Sequence, residues 1–168
     1  MQEIYQQTIT KPISFEGIGL HSGRISKVTL SPGVENQGIV FIRSDLKENN
    51  IIKANYKNVS SAKLCTTLEN TSGAKVSTVE HLLAAFYIVG IDNVIIDINN
   101  EEVPIMDGSS IEFVEIMEKT GTKKLNKKRK FLEVLEKVEL EDNGKKISIE
   151  PSQIGFEVKF QLNYSNSI

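Results

Sequence analysis

The chain is poor in the side chains that most often bind metals or form cross-links. Its 168 residues include one cysteine, Cys65, and two histidines, His21 and His81. A lone cysteine excludes an internal disulfide and any zinc site built from several cysteines. For Cys65 itself, a buried inert thiol is favoured over a reactive or metal-ligating one.

Strong charge and long apolar segments are lacking as well. The formal net charge is −2, which gives no signature of nucleic-acid binding. No apolar run of 18 residues and no N-terminal secretory pattern appear, so we expect no integral membrane segment and a cytoplasmic location. The apolar content of 39% supports one domain with a core, or one small domain plus part of another.

Strands dominate the first part of the chain, and two helices follow. Helical spacing of apolar residues predicts one helix from about Thr78 to Val89, ended by Gly90, and a second from Ser109 to Gly121. Each helix is preceded by a capping-box pattern, Ser77 with Glu80 and Ser109 with Glu112. The candidate strands are residues 4–10, 26–30, 38–43, 63–70 and 91–98, the last being apolar enough for a central strand.

This order of elements predicts an α+β two-layer sandwich, a sheet covered by two helices, over residues 1–122. The composition then changes, since seven of the twelve residues 119–130 are basic. We interpret 123–130 as a basic linker, although such a run could also contact phosphate.

Residues 131–168 are predicted to begin a second, similar unit that is incomplete. Residues 131–140 and 145–150 form a predicted hairpin closed by Asn143-Gly144. Apolar residues then alternate with polar ones from Phe156 to Tyr164, which is the period of a strand with one buried face. The layer that covers this face is either missing or supplied by a partner; alternatively, the helices of the first unit cover it.

The dipeptide Glu80-His81 is the leading candidate for a catalytic site. It places a carboxylate and an imidazole at the start of the first predicted helix, where both can converge on one object, such as a water bound to a metal that His81 ligates. The alternative is structural: Glu80 caps the helix and a backbone carbonyl satisfies His81.

A glycine-rich segment, residues 17–23, contains the other histidine. It does not match a phosphate-binding loop, because no Gly-Lys-Ser/Thr follows, and it lacks the spacing of a dinucleotide fingerprint. Its glycines permit either close approach of a ligand to the backbone or a tight turn.

Five motifs together resemble a known family. They occur in the order and approximate spacing of the N-terminal half of the bacterial UDP-3-O-acyl-N-acetylglucosamine deacetylases, the zinc enzymes of lipid A biosynthesis. The resemblance covers essentially the whole chain. The motifs are Gly17-Ile18-Gly19-Leu20-His21-Ser22-Gly23, Leu64-Cys65-Thr66, Ser77-Thr78-Val79-Glu80-His81-Leu82, Gly90-Ile91-Asp92-Asn93 and Pro104-Ile105-Met106-Asp107-Gly108-Ser109.

The resemblance implies a hydrolytic reaction and a Zn²⁺ cofactor. In that family a zinc ion held by two histidines and an aspartate activates a water, which attacks the acetamide carbonyl of the sugar and releases acetate. The position matching His81 is a metal ligand, and the position matching Glu80 is the general base. Zinc lowers the pKa of its bound water to about 7, which suits such a base at neutral pH.

The resemblance also implies a substrate site. His21 resembles a loop histidine that lines the site for UDP-3-O-acyl-N-acetylglucosamine. Leu20, Leu64 and Cys65 resemble residues near the zinc and the acyl chain. The family fold, two similar layers packed face to face, agrees with an incomplete second unit.

One departure from the family is important. Its other metal ligands come from a His-x-x-x-Asp motif, whereas Ala85 stands four residues after His81 and Ile25 four after His21. The match therefore supplies one of the three protein ligands that a catalytic zinc normally has. We expect the front half of a deacetylase, truncated or split and inactive alone, whose partner is a complementary C-terminal half. The alternative is a non-catalytic module that binds a nucleotide-sugar or a partner protein.

Overall fold

The computed structural model of the chain describes residues 4–163. The chain forms two compact units, Met1–Arg129 and Lys130–Ile168. The first unit contains two helices, α1 (Glu80–Val89) and α2 (Ile111–Thr120). Its strands are β1 (Tyr5–Ile9), β2 (Ile13–Ile18), β3 (Ile25–Pro32), β4 (Ile39–Arg43), β5 (Ile51–Lys53), β6 (Val59–Ser61), β7 (Thr67–Glu69), β8 (Lys75–Val76), β9 (Val94–Ile98) and β10 (Thr122–Lys128). Those of the second unit are β11 (Val138–Asp142) and β12 (Lys145–Ile149).

A five-stranded sheet in the order β2-β3-β9-β4-β5 forms the centre of the first unit. Its neighbours are antiparallel except β4 and β9, which run parallel. The apolar stretch predicted as a central strand is confirmed as β9, in which Val94, Ile96 and Ile98 are fully buried. Because alternate side chains of a strand point to opposite faces, these three lie on the face that meets the core.

The two helices complete that core. Leu82, Ala85 and Phe86 of α1 and Phe113 and Met117 of α2 belong to the same buried cluster as the sheet residues. The Phe113 ring also meets Phe15 of β2 edge to face, with centroids 5.4 Å apart. The predicted α+β class is thereby confirmed. Within residues 4–163, neither helix is long and apolar enough to cross a bilayer.

Both helices end where their glycines predict, but they do not begin as predicted. Gly90 adopts a left-handed φ of 82°, and its N–H donates to the Phe86 carbonyl. The N-caps are Val79 and Ser110, and neither makes a side-chain capping hydrogen bond. The capping-box interpretation was therefore wrong for both helices.

Long-range pairing explains the failure of the first capping box. Ser77 pairs with Glu102 in a parallel bridge, and its hydroxyl donates to the Glu101 carbonyl instead of capping α1. Glu80 in turn accepts a hydrogen bond from Thr66. In the second box, the Ser109 hydroxyl accepts from the N–H of Ile111, so the turn before α2 is closed locally.

The segment 123–130, interpreted as a basic linker, is mostly a strand. Residues 122–128 form β10, which pairs antiparallel with β1, with Ile9 opposite Thr122 and Tyr5 opposite Lys128. The lysine content correctly indicated exposed side chains, since nearly all of β10 is exposed. It did not indicate the backbone pairing, because ladder hydrogen bonds require no apolar side chain, and lysine is common on edge strands.

The second unit contains the predicted hairpin. β11 and β12 pair in register from Val138–Ile149 to Asp142–Lys145, and the turn residues Asn143 and Gly144 both have positive φ. The predicted strand beyond it is wrong over residues 156–163, which adopt no regular structure, and its last residue, Tyr164, lies outside the described residues. Alternation shows which face would be buried, but strand formation also requires pairing. The apolar side chains of 156–162 are exposed.

Candidate active site at the start of helix α1

Glu80 and His81 occupy the first turn of α1, and both are half-buried. Glu80 does not cap its helix. Its Oε2 accepts a 3.0 Å hydrogen bond from the backbone N–H of Thr66, 14 residues earlier. The carboxylate is thereby fixed against the segment that contains Cys65. The carbonyl of His81 accepts a 2.9 Å bond from the Ser110 hydroxyl, which ties the start of α2 to the start of α1.

The glycine-rich segment forms a closed turn beside this region. The N–H of Gly19 donates to the Arg24 carbonyl and the N–H of Gly23 to the Gly19 carbonyl, both at 2.9 Å. The N–H of Ile105 donates to Ile18, 3.0 Å away. The turn is therefore held against the segment that follows Glu102.

Glu102 joins the two histidine-containing segments. Its side chain is 1% exposed, and its Oε1 accepts from the His21 N–H and from the Thr78 hydroxyl, both at 2.9 Å. Its Oε2 accepts from the Ser22 N–H at 2.7 Å. A single carboxylate thus contacts both the glycine-rich turn and the residue two positions before Glu80.

The ionised form of Glu102 is favoured despite its burial. Burial acts to raise the pKa of this carboxyl, since it removes water from the charged form. The hydrogen bonds from His21, Ser22 and Thr78 act in the opposite direction and together prevail, so the pKa of Glu102 lies below its ordinary value. The group is therefore a carboxylate at neutral pH.

Gly19 is required by the position of this carboxylate. A Cβ at residue 19 would lie 2.5 Å from Glu102 Oε2 and 2.4 Å from the Ser22 hydroxyl oxygen. Real Cβ atoms essentially never approach other heavy atoms so closely. The sequence left open close approach of a ligand to the backbone or a tight turn. The structure shows a turn at Gly19, whose backbone also packs closely against Glu102 and Ser22.

Three residues around the site have left-handed backbone angles that their side chains disfavour. The φ angles are 56° at Thr78, 70° at Leu64 and 54° at Met106. Positive φ is rare for residues other than Gly, Asn and Asp, and for a β-branched residue such as Thr78 it is a genuine outlier. Such strain persists where the surrounding structure enforces it, and it is concentrated at functional sites.

The structure brings one predicted segment to Glu80 and leaves several of the predicted site side chains exposed. The Thr66 N–H brings the Leu64-Cys65-Thr66 segment to Glu80, and Cys65 is half-buried with its Sγ 3.8 Å from the Thr67 hydroxyl. Leu20 and Leu64 are exposed to 60% and 85%. His21 is exposed, and only its backbone is fixed, through Glu102.

Glu102 was not among the residues singled out from the sequence. It is the second of two adjacent glutamates, and one residue, Val103, separates it from the Pro104–Ser109 motif. Adjacent residues of an extended segment point to opposite sides, so one of the two side chains is expected to face the core and the other the solvent. The sequence alone does not say which one, or that the turn at His21 would supply its hydrogen bonds.

The described residues do not form a metal site by themselves. Among residues 4–163 no group of three or more His, Cys, Asp or Glu side chains is arranged to hold a metal ion. A catalytic zinc normally requires three protein ligands. The donor set seen here therefore does not fit a complete zinc site.

Comparison with known proteins identifies the relatives of the chain. The family model described as UDP-3-O-acyl N-acetylglycosamine deacetylase matches residues 6–168. Proteins named UDP-3-O-acyl-N-acetylglucosamine deacetylase are 43% identical in Geotalea uraniireducens, 41% in Colwellia psychrerythraea and 34% in Phenylobacterium zucineum. These matches cover 98%, 98% and 97% of the chain, respectively.

The same matches cover 53%, 54% and 56% of the three relatives, so the chain spans about half the length of the curated relatives that it matches. The family model, however, extends over nearly every residue of the chain, from the strand at the N-terminus through the glycine-rich turn, Glu80-His81 and the β11–β12 hairpin. On this evidence the chain belongs to the UDP-3-O-acyl N-acetylglycosamine deacetylase family.

Proposed function

We propose that this chain is the front half of a zinc-dependent deacetylase that hydrolyses UDP-3-O-acyl-N-acetylglucosamine in lipid A biosynthesis. It supplies the general base, Glu80, and one metal ligand, His81, and it is inactive alone. Its partner is a complementary C-terminal half, with which it acts in the cytoplasm. Residues 131–168 are then the start of a second unit that the complementary half completes.

The observation that carries this proposal is the linkage made by Glu102. One buried carboxylate holds the turn with His21 on one side and Thr78, two residues before Glu80, on the other. The two segments that contain the histidines, 60 residues apart in the sequence, are thus held together by a charged contact. A structural interpretation of the dipeptide expects Glu80 to cap α1, and no such cap exists.

The position of Glu80 suits a general base. Because the Thr66 N–H fixes Oε2, the carboxylate is oriented, and its second oxygen can accept a proton. Glu80 thus meets one geometric requirement for proton abstraction, a carboxylate with a defined orientation.

Exposed apolar side chains near these segments suit the acyl chain of the substrate. Leu20 flanks His21 in the glycine-rich turn, and Leu64 lies two residues before Thr66, which binds Glu80. Both leucines are largely exposed, so both can give up water-accessible apolar surface to an acyl chain. Cys65 lies between Leu64 and Thr66 and lines the same segment.

Zinc enters the proposal only through His81, because the described residues do not complete a zinc site. When bound, the ion would lower the pKa of a water molecule and so produce a nucleophile at neutral pH. The remaining ligands would come from the part of the relatives that this chain does not match.

The test uses a fusion of this chain to the C-terminal half of the Geotalea uraniireducens relative. We expect the fusion to bind zinc and to release acetate from UDP-3-O-acyl-N-acetylglucosamine, whereas the 168-residue chain does neither. Replacing Glu80 with Gln should lower kcat roughly 10²- to 10⁴-fold, the usual contribution of a general base. Replacing His81 with Ala should reduce the zinc content.

The matched control is Glu101→Gln, which changes an exposed glutamate outside α1 and should leave kcat unchanged. Equimolar zinc and turnover by the 168-residue chain alone would refute the claim that it is inactive alone. If the fusion folds and binds the nucleotide-sugar but releases no acetate, the alternative of a non-catalytic binding module is supported.

A further inference from the structure

We propose that Glu102 is a positioning residue, which acts through Thr78 to hold Glu80 and His81 in place and at the same time holds the turn that contains His21. This inference rests on the function proposed above for Glu80 and His81. Glu102 itself contacts neither of them in the structure, so it is not a catalytic residue.

The first step of the argument is the pairing that places Glu102 beside Thr78. The N–H of Ser77 donates to the Glu101 carbonyl at 2.8 Å, and the N–H of Val103 donates to the Ser77 carbonyl at 3.1 Å. Ser77 and Glu102 form a parallel bridge as a result. The segment that leads into α1 therefore runs alongside the segment that carries Glu102.

The second step concerns the backbone of Thr78. Its φ of 56° is unfavourable for a β-branched residue, and its side chain is buried with its hydroxyl bonded to Glu102. Without that bond, the backbone of Thr78 would gain by relaxing to a negative φ. A change of φ at Thr78 would redirect the chain just before α1, and Glu80 and His81 would move with it.

The third step is that the same carboxylate controls the other side of the site. The N–H groups of His21 and Ser22 both donate to Glu102, so the turn and the entry to α1 share one anchor. Gly19 packs so closely on this anchor that no side chain fits there. A shift of Glu102 would therefore move both sides together.

The fourth step is that the anchor must be an acceptor at both oxygens. The donors that point at the Glu102 carboxylate include the backbone N–H groups of His21 and Ser22 and the Thr78 hydroxyl. Glutamine has nearly the same shape but presents an NH₂ group in place of one oxygen, which would face a backbone N–H donor. The variant Glu102→Gln therefore removes the function of the group with little change of volume.

The experiment is amide NMR and hydrogen exchange on the full chain, comparing the wild type with Glu102→Gln. We expect exchange of the His21 and Ser22 amides to accelerate roughly tenfold or more, as the loss of hydrogen bonds to a charged acceptor implies. The decisive probes are the Thr66 amide, which is bonded to Glu80, and the ring resonances of His81. Both should move, although neither residue touches Glu102.

Two further variants keep the test valid if Glu102→Gln fails to fold. Thr78→Val removes the hydroxyl but keeps the branched shape, and we expect it to move the Thr66 amide and the His81 ring. Thr78→Ser keeps the hydroxyl and should leave both near their wild-type positions. The proposal is overturned if folded Glu102→Gln or Thr78→Val changes only the immediate neighbours of residue 102 and leaves Thr66 and His81 unmoved.

Asp92→Asn is the matched control for loss of a structural carboxylate. The Asp92 side chain accepts a 2.8 Å bond from the Gln7 N–H and one of equal length from Arg129. The variant should destabilise the fold without moving the Thr66 amide or the His81 ring.

Activity is measured separately in the fusion protein. There, Glu102→Gln should lower kcat, and Asp92→Asn should not. An inactive wild-type fusion would refute the proposed function, whereas the resonances of Thr66 and His81 report on positioning without any catalysis. The two failures are therefore distinguishable.

Discussion

The first unit contains two buried polar networks that contrast in charge and in strain. One is centred on the Glu102 carboxylate. The other is centred on Asn93, whose side-chain amide donates to Gln6 Oε1 at 3.0 Å and whose carbonyl oxygen accepts from the Gly38 N–H at 2.9 Å. Asn36 also donates its N–H to Gln6, at 2.9 Å. This second network is made of neutral amides.

The backbone angles show what each network does. Around Asn93 the residues with positive φ are Asn36 and Gly38, types that adopt this conformation at little cost. Around Glu102 they include Thr78, which does not. A network that only connects strands has no need of a strained backbone or a buried charge, so the costly features of the Glu102 network indicate that a particular geometry is enforced there.

The largest effect should come from adding one methyl group at Gly19, beside the Glu102 carboxylate. Gly19→Ala forces a Cβ to within 2.5 Å of Glu102 Oε2, so either the turn or the carboxylate must shift. We expect the free energy of unfolding to fall by about 3 kcal/mol, the upper part of the range for overpacking. Urea denaturation measures this loss.

Gly33→Ala is the matched control in the neutral network, where a Cβ would lie 2.7 Å from the Asn93 carbonyl carbon. It should destabilise the fold comparably, but only Gly19→Ala should also move the Thr66 amide. If both variants move it, the two networks are not independent and the contrast drawn here fails.

The next largest effect should be on the pH dependence of stability, to which the Glu102 network contributes and the Asn93 network does not. The pKa of Glu102 is lowered in the folded state from an ordinary value of 4.5, so the unfolded chain takes up its proton first as the pH falls. The stabilisation from Glu102 is therefore complete above about pH 4.5 and is lost as the pH falls through the folded pKa. The neutral amides of the Asn93 network contribute no such dependence.

Urea denaturation at a series of pH values from 7 to below 4 measures this dependence. Glu102→Gln should make the free energy of unfolding fall less steeply as the pH is lowered. Asp45, whose pKa is lowered by its hydrogen bond to Arg43, produces a loss in the same direction from an ordinary value of 3.8. Asp45→Asn should therefore reduce a different part of the fall in unfolding free energy at low pH. If Glu102→Gln leaves this fall unchanged, Glu102 is not ionised as described.

The sequence predicted those features that depend on local patterns. The helix ends at Gly90 and Gly121, the central strand β9 and the Asn143-Gly144 hairpin follow from neighbouring residues alone, and the structure confirms them. Glu80 and His81 were identified because the dipeptide stands at the start of a recognisable helix. Their catalytic roles stay predictions.

The features that the sequence did not predict depend on residues far apart in the chain. β10 is a strand because β1, over 110 residues earlier, pairs with it. Glu80 binds Thr66 rather than capping its helix because β7 and β8 bring that segment alongside α1. β2 was not among the predicted strands, and only its last two residues, Gly17 and Ile18, fell within the glycine-rich segment; β3 pairs with it along its whole length.

The smallest effect should be a stabilisation, at Leu64. This residue is 85% exposed and has a φ of 70°, so its side chain contributes little burial while its backbone is strained. A left-handed conformation costs a non-glycine residue about 1–2 kcal/mol, and glycine loses roughly 0.5–1 kcal/mol in backbone entropy. Leu64→Gly should therefore raise the free energy of unfolding by up to about 1 kcal/mol, whereas Leu64→Ala, which keeps the strain, should not.

In the fusion protein the same glycine should raise KM for the acylated substrate, because the apolar side chain proposed to contact the acyl chain is gone. A variant that gains stability while it loses substrate affinity would show that the strained angle at Leu64 is retained for binding. Unchanged or lower stability in Leu64→Gly would show that this left-handed angle carries no cost.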